Sequence, residues 1–331
     1  MTDDPFRRLA PVVRLAPAKL NLTLAVLGKR RDGFHDLHSV AVPLGLADRL
    51  SVAPAAGAED TLRVDGHDAG PTEDNLVLRA VSAARRAVGR GAATVPLAIR
   101  LEKRIPVAAG LGGGSSDAAA ALDAALEAWQ VPPDLVDRAA IAATLGSDVP
   151  FFLAGGSALL GGRGERATLL PDLTGQPLGV LLVTPPTALS TAVVFAAFDA
   201  AATAGSDSTR LTSEHLASEL RAGLSGRALL DRAGILAVAN DLSAPANVLA
   251  PALLPLRRAL TRLLHRSIGQ TGSGPTLWAL YPSLEEAEAA AAELHDAVET
   301  KRLPAIGESG PSIAATTILR READHEEGSA R

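Results

Sequence analysis

The chain has 331 residues, 47% of them hydrophobic and 21% charged, and a net charge of -5 at pH 7. That length suits two compact domains with a substantial core, and the mild acidity gives no global pull toward nucleic acid or an anionic membrane. With no cysteine in the chain, disulfides, thiolate nucleophiles, iron–sulfur clusters and cysteine-based zinc sites are excluded. No stretch approaches the roughly 20 uninterrupted apolar residues of a membrane span. The N-terminus MTDDPFRRLAPVVR has no apolar h-region and does not read as a secretory signal. The expectation is a soluble, cytoplasmic protein. Only four of the 32 basic residues are lysines, so each lysine carries more information than usual.

Val12 to Leu27 reads as extended, and Lys29 to Gly33 as a turn ending in the Asp-Gly hairpin signal. His38 to Leu44 and Asp48 to Val52 read as two further strands. Ala53 to Asp74 is a polar surface excursion around a short strand, Leu62 to Val64. Asn75 to Val88 has helical spacing, and Val95 to Leu101 alternates as a strand. A glycine-rich loop, Ala108 to Ser116, leads into a helix with Leu122, Leu126 and Trp129 on one face. Asp134 to Leu145 is a second helix stopped by Gly146. Pro150 to Leu160 is strand-like, and Gly179 to Thr184 is a buried strand. Helices follow at Thr191 to Ala201, Ser213 to Gly223, Ala250 to Arg266 and Leu284 to Val298. Ala201 to Thr209 reads as a flexible linker and Gly269 to Gly274 as a second glycine-rich turn. Leu277 to Tyr281 and Ser312 to Leu319 complete the strands. The unequal alternation predicts an α+β fold with two mixed sheets.

The most informative segment is Ile105 to Leu122, IPVAAGLGGGSSDAAAAL. Gly110, Gly112, Gly113 and Gly114 strip side chains from a run of backbone, which can aim several N–H groups at one anion. Ser115, Ser116 and Asp117 are expected to cap a helix starting near Ala118. A helix start behind a glycine loop is a phosphate site. It is not a P-loop, because no lysine follows the glycines. It is not a dinucleotide fingerprint either, because the frame from Gly110 meets Ser115 where a third glycine belongs; a dehydrogenase is disfavoured.

The pattern P-x-x-x-G-L-G-G-G-S-S, from Pro106 to Ser116, resembles the GHMP kinases, and in particular a branch whose acceptor is a cytidyl diphosphate. Four other segments match in order: APAKLNLTLAVLGKRRDGFHDLHSV (16–40), LGSDVPFF (145–152), NDL (240–242) and TGSGPT (271–276). The resemblance spans about Leu15 to Leu319. It implies a two-domain GHMP kinase architecture, with a ribosomal-protein-S5-like domain at residues 1–176, a ferredoxin-like domain at 177–320, and a disordered tail at 321–331. It also implies ATP as phosphoryl donor, Mg2+ and a small-molecule cytidyl diphosphate substrate; no nucleic acid or membrane partner is expected, and the oligomeric state is left open between a monomer and a weak homodimer. Another GHMP kinase acting on homoserine or a mevalonate derivative, or a non-catalytic nucleotide-binding regulator, remains the alternative.

Particular side chains can then be given roles. Lys19 lies at a strand centre, where a lysine is costly without an anionic partner or a path to solvent; Asn21 shares its strand face. Asp148 precedes an apolar run, where it either makes an Asx-turn or serves chemistry. The resemblance makes Lys19 an electrostatic catalyst, Asn21 a substrate ligand and Asp148 the general base that alcohol phosphorylation needs. It places Phe34, His35, Thr191 and Phe195 around the cytosine. The family pattern has Tyr where this chain has Phe34; ring stacking survives that change and a phenolic hydrogen bond does not. For ATP it points to Asn75, Lys103, Pro106, Val107, Ala108, Ala109, Gly110, Leu111, Gly112, Gly113, Gly114, Ser115 and Ser116. Asn75 equally suits a helix N-cap. Ser115 or Ser116 is the candidate Mg2+ ligand. His35 and His38, three apart in a strand, face opposite ways and do not suit a shared metal.

Overall fold

The computed structural model describes residues 10–89, 94–201, 205–304 and 310–321, which build two sheets. The first has seven strands: β1 (Val12–Asn21), β2 (Ala25–Lys29), β3 (His35–Pro54), β4 (Thr61–Gly66), β5 (Leu97–Lys103), β6 (Ala158–Gly162) and β7 (Arg166–Leu169). The second comprises β8 (Gly179–Thr184), β9 (Gly269–Gln270), β10 (Leu277–Tyr281) and β11 (Ser312–Thr317), antiparallel in the order β11-β8-β10-β9. Helices α1 (Leu76–Val88), α2 (Gly113–Ala128), α3 (Arg138–Leu145) and α4 (Val149–Ala154) belong to the first half. The second half contributes α5 (Thr191–Ala200), α6 (Asp207–Arg221), α7 (Gly226–Asp231), α8 (Ala233–Leu236), α9 (Ser243–Leu249), α10 (Leu253–Leu264) and α11 (Leu284–Glu299). The architecture is α+β, as the alternation of elements predicts; the first sheet is mixed through its parallel β4–β5 pair, but the second, expected to be mixed, is wholly antiparallel.

The organising element is β3, 20 residues long. It forms as one strand where two were expected. The gap expected at Gly45 to Ala47 does not interrupt it: Ala47 pairs with Pro17 of β1, whose register shifts between Pro17 and Lys19 to keep pace. One edge of β3 takes β2 at residues 35–38 and β1 at 41–52. The other takes β6 at 37–41 and β5 at 49–54. Between β6 and β5, the second sheet reaches across. Leu319 N donates to Pro43 O at 2.8 Å, and Leu46 N donates to Thr316 Oγ1 at 2.7 Å. A shared core of Leu20, Val42 and Leu44 with Val180, Leu182 and Trp278 seals this junction. A separate core packs α1, α2 and α3 on β3 and β5.

Local chemistry explains most boundaries and several departures from expectation. Asn75, Asp137, Ser206, Ser225 and Ser283 each cap a helix through a side-chain oxygen. Pro150 to Leu160 is not one strand: Val149–Ala154 forms α4, ended by Gly155 at φ 58°, before β6 begins. A six-residue apolar run fits either element by pattern alone. The helix after the glycine loop starts at Gly113, not near Ala118, so Ser115, Ser116 and Asp117 lie inside its first turns. The cap is Gly112, at φ 72°, with no side-chain bond. The expected helix from Asp134 begins instead as a 3-10 turn at Pro133–Leu135, then α3. In the expected linker, Asp207 to Thr209 is helical and residues 202–204 lie outside the described residues. The expected tail lies outside them too, apart from Arg321.

Candidate active site

The glycine loop is shaped as an anion cradle. Ala108, Gly110 and Gly112 have positive φ, and Ala109 and Leu111 between them do not. This alternation curls successive N–H groups toward one point. The cradle runs into the start of α2, whose first N–H groups have no intrahelical acceptor. The loop is held from two sides. Lys19 N donates to Leu111 O at 2.9 Å, and Thr276 N approaches Ala109 O at 3.4 Å. Gly110 packs so tightly on the second glycine turn that a Cβ there would lie 2.7 Å from Thr271 O and 2.9 Å from Gly274 O. That turn is pinned in its own right, because Asn240 Nδ2 donates to Gln270 O and Gly272 O, both at 2.9 Å. Gly110→Ala should therefore cost about 1–3 kcal/mol from backbone strain alone and raise the KM for ATP. Gly114→Ala, whose Cβ would meet only Leu76 Cδ1 at 3.7 Å, should melt like the parent. Thermal melts that do not separate the two variants would contradict this packing.

The cleft at this cradle has a volume of about 850 Å³ and is lined by every residue assigned a site role from sequence except Ser116. Ser116 is buried and its hydroxyl finds no partner among the described residues. Lys19, 6% exposed, hydrogen-bonds Asn21 Oδ1 and stands 3.7 Å from Asp148 Oδ2. Asn21 Nδ2 donates to Ser39 Oγ at 2.8 Å, and Ser39 Oγ donates to Thr23 O at 2.5 Å. This chain fixes the amide so that its oxygen meets the ammonium. Asp148 stands at the start of α4 but its side chain caps nothing. Its carboxylate is left facing the cleft with Lys19 as counter-charge. Asn75 does cap α1, accepting from Val77 N at 3.0 Å through Oδ1, so its amide N–H groups are what it can offer a ligand.

Part of the cleft wall is aromatic. His35 stacks on Phe195 with ring centroids 4.8 Å apart and 19° between planes. His35 Nε2 lies 2.7 Å from Asp199 Oδ1. Lys29 and His35, both hydrogen-bonded to it, hold the Asp199 carboxyl below the usual carboxylate range. Phe34 is 47% exposed, a ring with one face open. Thr191 Oγ1 lies 3.0 Å from Ser273 Oγ, which ties the start of α5 to the second glycine turn.

Behind the loop lies a buried charge cluster. Lys103 Nζ bonds Asp48 and lies 2.8 Å from Asp117 Oδ2. The other Asp48 oxygen accepts from Arg104 N and Ile105 N, at 2.5 and 2.9 Å. The cluster thus links β3, the entry to the loop and the first turns of α2. Burial pushes the Asp117 carboxyl up to about 7; Lys103 opposes the rise and Asp48 adds to it. Lys103 lines the cleft, yet two of its three donors face these carboxylates.

Sequence reasoning missed Asp48, Asp199 and Arg163, a lining residue whose guanidinium lies 4.9 Å from the centre of the Phe34 ring. Asp199 had a readable signal, since Thr191, Phe195 and Asp199 recur every four residues along α5. Asp48 and Arg163 had none, since their partners are set by tertiary packing.

The two sheets and the cradle between them are those of a GHMP kinase, and residues 75–156 match the model described as GHMP kinases N terminal domain. The chain is 40% identical over 282 residues to the 4-diphosphocytidyl-2-C-methyl-D-erythritol kinase of Pelotomaculum thermopropionicum, covering 85% of this chain and 93% of the relative. It is 40% identical over 299 residues to the enzyme of the same name from Deinococcus radiodurans, covering 89% and 91%. A crystal structure of 4-(cytidine 5'-diphospho)-2C-methyl-D-erythritol kinase superposes with a TM-score of 0.67 at 33% identity, over 92% of this chain and 98% of that one. Homoserine kinase from Cytophaga hutchinsonii shares the fold at 16% identity, with a TM-score of 0.65. The chain belongs to the 4-diphosphocytidyl-2-C-methyl-D-erythritol kinase family.

Proposed function

We propose that the protein transfers the γ-phosphoryl group of ATP to the 2-hydroxyl of 4-diphosphocytidyl-2-C-methyl-D-erythritol, a step in making isoprenoid precursors. The observation that carries this reading is one cleft holding both a peptide-amide cradle and the Lys19–Asp148 pair, with stacked rings in its lining. The cradle and the start of α2 bind the triphosphate. Asp148 accepts the hydroxyl proton as the oxygen attacks the γ-phosphorus, and the bond to the β-phosphate oxygen breaks, leaving ADP. Lys19, close enough to bridge carboxylate and phosphoryl oxygens, offsets the charge that develops. Asn21 holds Lys19 in place. Phe34, His35 and Phe195 receive the flat cytosine, and stacking on such rings contributes about 1–3 kcal/mol per base.

Among the described residues no group of three or more acidic or histidine side chains could hold a metal. Ser115 lines the cleft, whereas Ser116 is buried outside the lining and Asp117, which does line it, is buried against Lys103. The residues therefore fit a Mg2+ carried in on ATP and touched at most by Ser115, where it would neutralise phosphate charge.

Turnover measured across a panel of alcohols tests the assignment. The cytidylated tetritol should be phosphorylated far faster than homoserine or mevalonate. Comparable rates on acceptors without a cytidyl group would overturn it.

A further inference from the structure

Asp199, paired with Lys29, lines the cleft together with Asp74, Asp117 and Asp148, against the cations Lys19, Lys103 and Arg163. Two of those cations are already engaged, Lys19 with Asp148 and Lys103 with Asp48 and Asp117. Arg163 is different. Among the described residues its guanidinium has no carboxylate partner; it donates to Ala143 O at 3.0 Å and lies 4.9 Å from the centre of the Phe34 ring. Its position in the fold matters as much. Arg163 sits in the turn between β6 and β7, and the next residue, Gly164, packs beside Ser147 and Asp148; a Cβ there would lie 3.7 Å from Asp148 Oδ1. The turn therefore links the aromatic wall of the cleft to the Asp148 carboxylate.

We propose that Arg163 binds the diphosphate of the acceptor. The inference rests on the acceptor assignment above. A ligand with its base at the rings and its hydroxyl at Asp148 must thread two phosphates between them, past Asp199 and Asp148. That path needs an unengaged cation, and Arg163 is the lining cation that lacks an acidic partner among the described residues. A planar guanidinium stacked on Phe34 can keep that contact while its remaining N–H groups fork onto phosphate oxygens. The same stack sets the open ring of Phe34 in register with the phosphate contact.

Inhibition by CDP, CMP and cytidine, compared in the parent and in Arg163→Gln, tests this. The parent should bind CDP more tightly than cytidine. In Arg163→Gln, CDP should weaken about tenfold to a hundredfold, as expected for losing a charge-assisted contact. Cytidine should change less than about twofold if Phe34 keeps its place. The KM for the cytidyl acceptor should rise with CDP while the KM for ATP holds, and Arg163→Lys should recover part of the loss. Equal weakening of CDP and cytidine would mean that Arg163 acts only through Phe34, and a raised KM for ATP alone would place it on the triphosphate; either result overturns the proposal. A parent enzyme indifferent to CDP overturns the acceptor assignment and this inference together. A CDP-sensitive parent with an unaltered Arg163→Gln overturns this inference alone.

Discussion

Asp148→Asn is expected to lower kcat by about 10²–10⁴-fold, the usual contribution of a positioned general base, while ATP affinity stays within a few-fold. The amide keeps the shape of the side chain but cannot take the proton from the attacking hydroxyl. Folding should be indifferent, because the Asp148 side chain caps nothing and α4 is anchored by buried Val149 and Phe151. Losing the charge also frees Lys19, whose ammonium keeps its bond to Asn21. Single-turnover kinetics with bound ATP measure the chemical step directly. A variant retaining more than a tenth of the parental rate would show that Asp148 is not the base.

Lys103→Met should cost about 3–5 kcal/mol of stability, the usual effect of stranding a buried charge partner. Asp48 and Asp117 are 0% and 3% exposed, so water cannot replace the ammonium. The sign of the pH dependence follows from Asp117. Burial raises its folded-state value from 3.8 to about 7, so the folded chain holds a proton there that the unfolded chain has released. Stability contributed by that group is full below 3.8 and falls as pH rises through about 7. Removing Lys103 takes away the nearby cation that opposes the rise, which shifts the window upward. The variant's deficit should therefore be larger at pH 8 than at pH 5 by chemical denaturation, and Lys103→Met with Asp117→Asn should recover part of it. A deficit that is flat across that range, or below about 1 kcal/mol, would mean the cluster carries little. Because Asp48 also holds the amides of Arg104 and Ile105, the KM for ATP should rise in the same variant.

Much of this architecture is legible in the chain itself. The glycine loop, the caps at Asn75 and Gly146 and the buried strand at Gly179–Thr184 follow from local chemistry, and they form where expected. What failed to show locally was decided at a distance. Gly45 to Ala47 reads as a break between two strands, but β3 runs through it because Ala47 pairs with β1 and Leu46 is held by Thr316 of the second sheet. Val149–Ala154 is too short for its pattern to choose between helix and strand. Ser115 and Ser116 look like caps, but Gly112 takes the left-handed position and starts the helix earlier. The site divides along the same line. Lys19 and Asp148 each look out of place in sequence, but their 3.7 Å approach is a property of the fold. Arg163 sits in a turn whose sequence, GGRGE, announces nothing.

The close fit of Gly110 against Thr271 and Gly274 bears on how the two halves of the chain can be recombined. Positions 161 residues apart share one van der Waals gap, so a side chain at Gly110 would strike the backbone of the second turn. A chimera that joins the first half to a foreign second half must reproduce that gap, and the halves are not interchangeable modules.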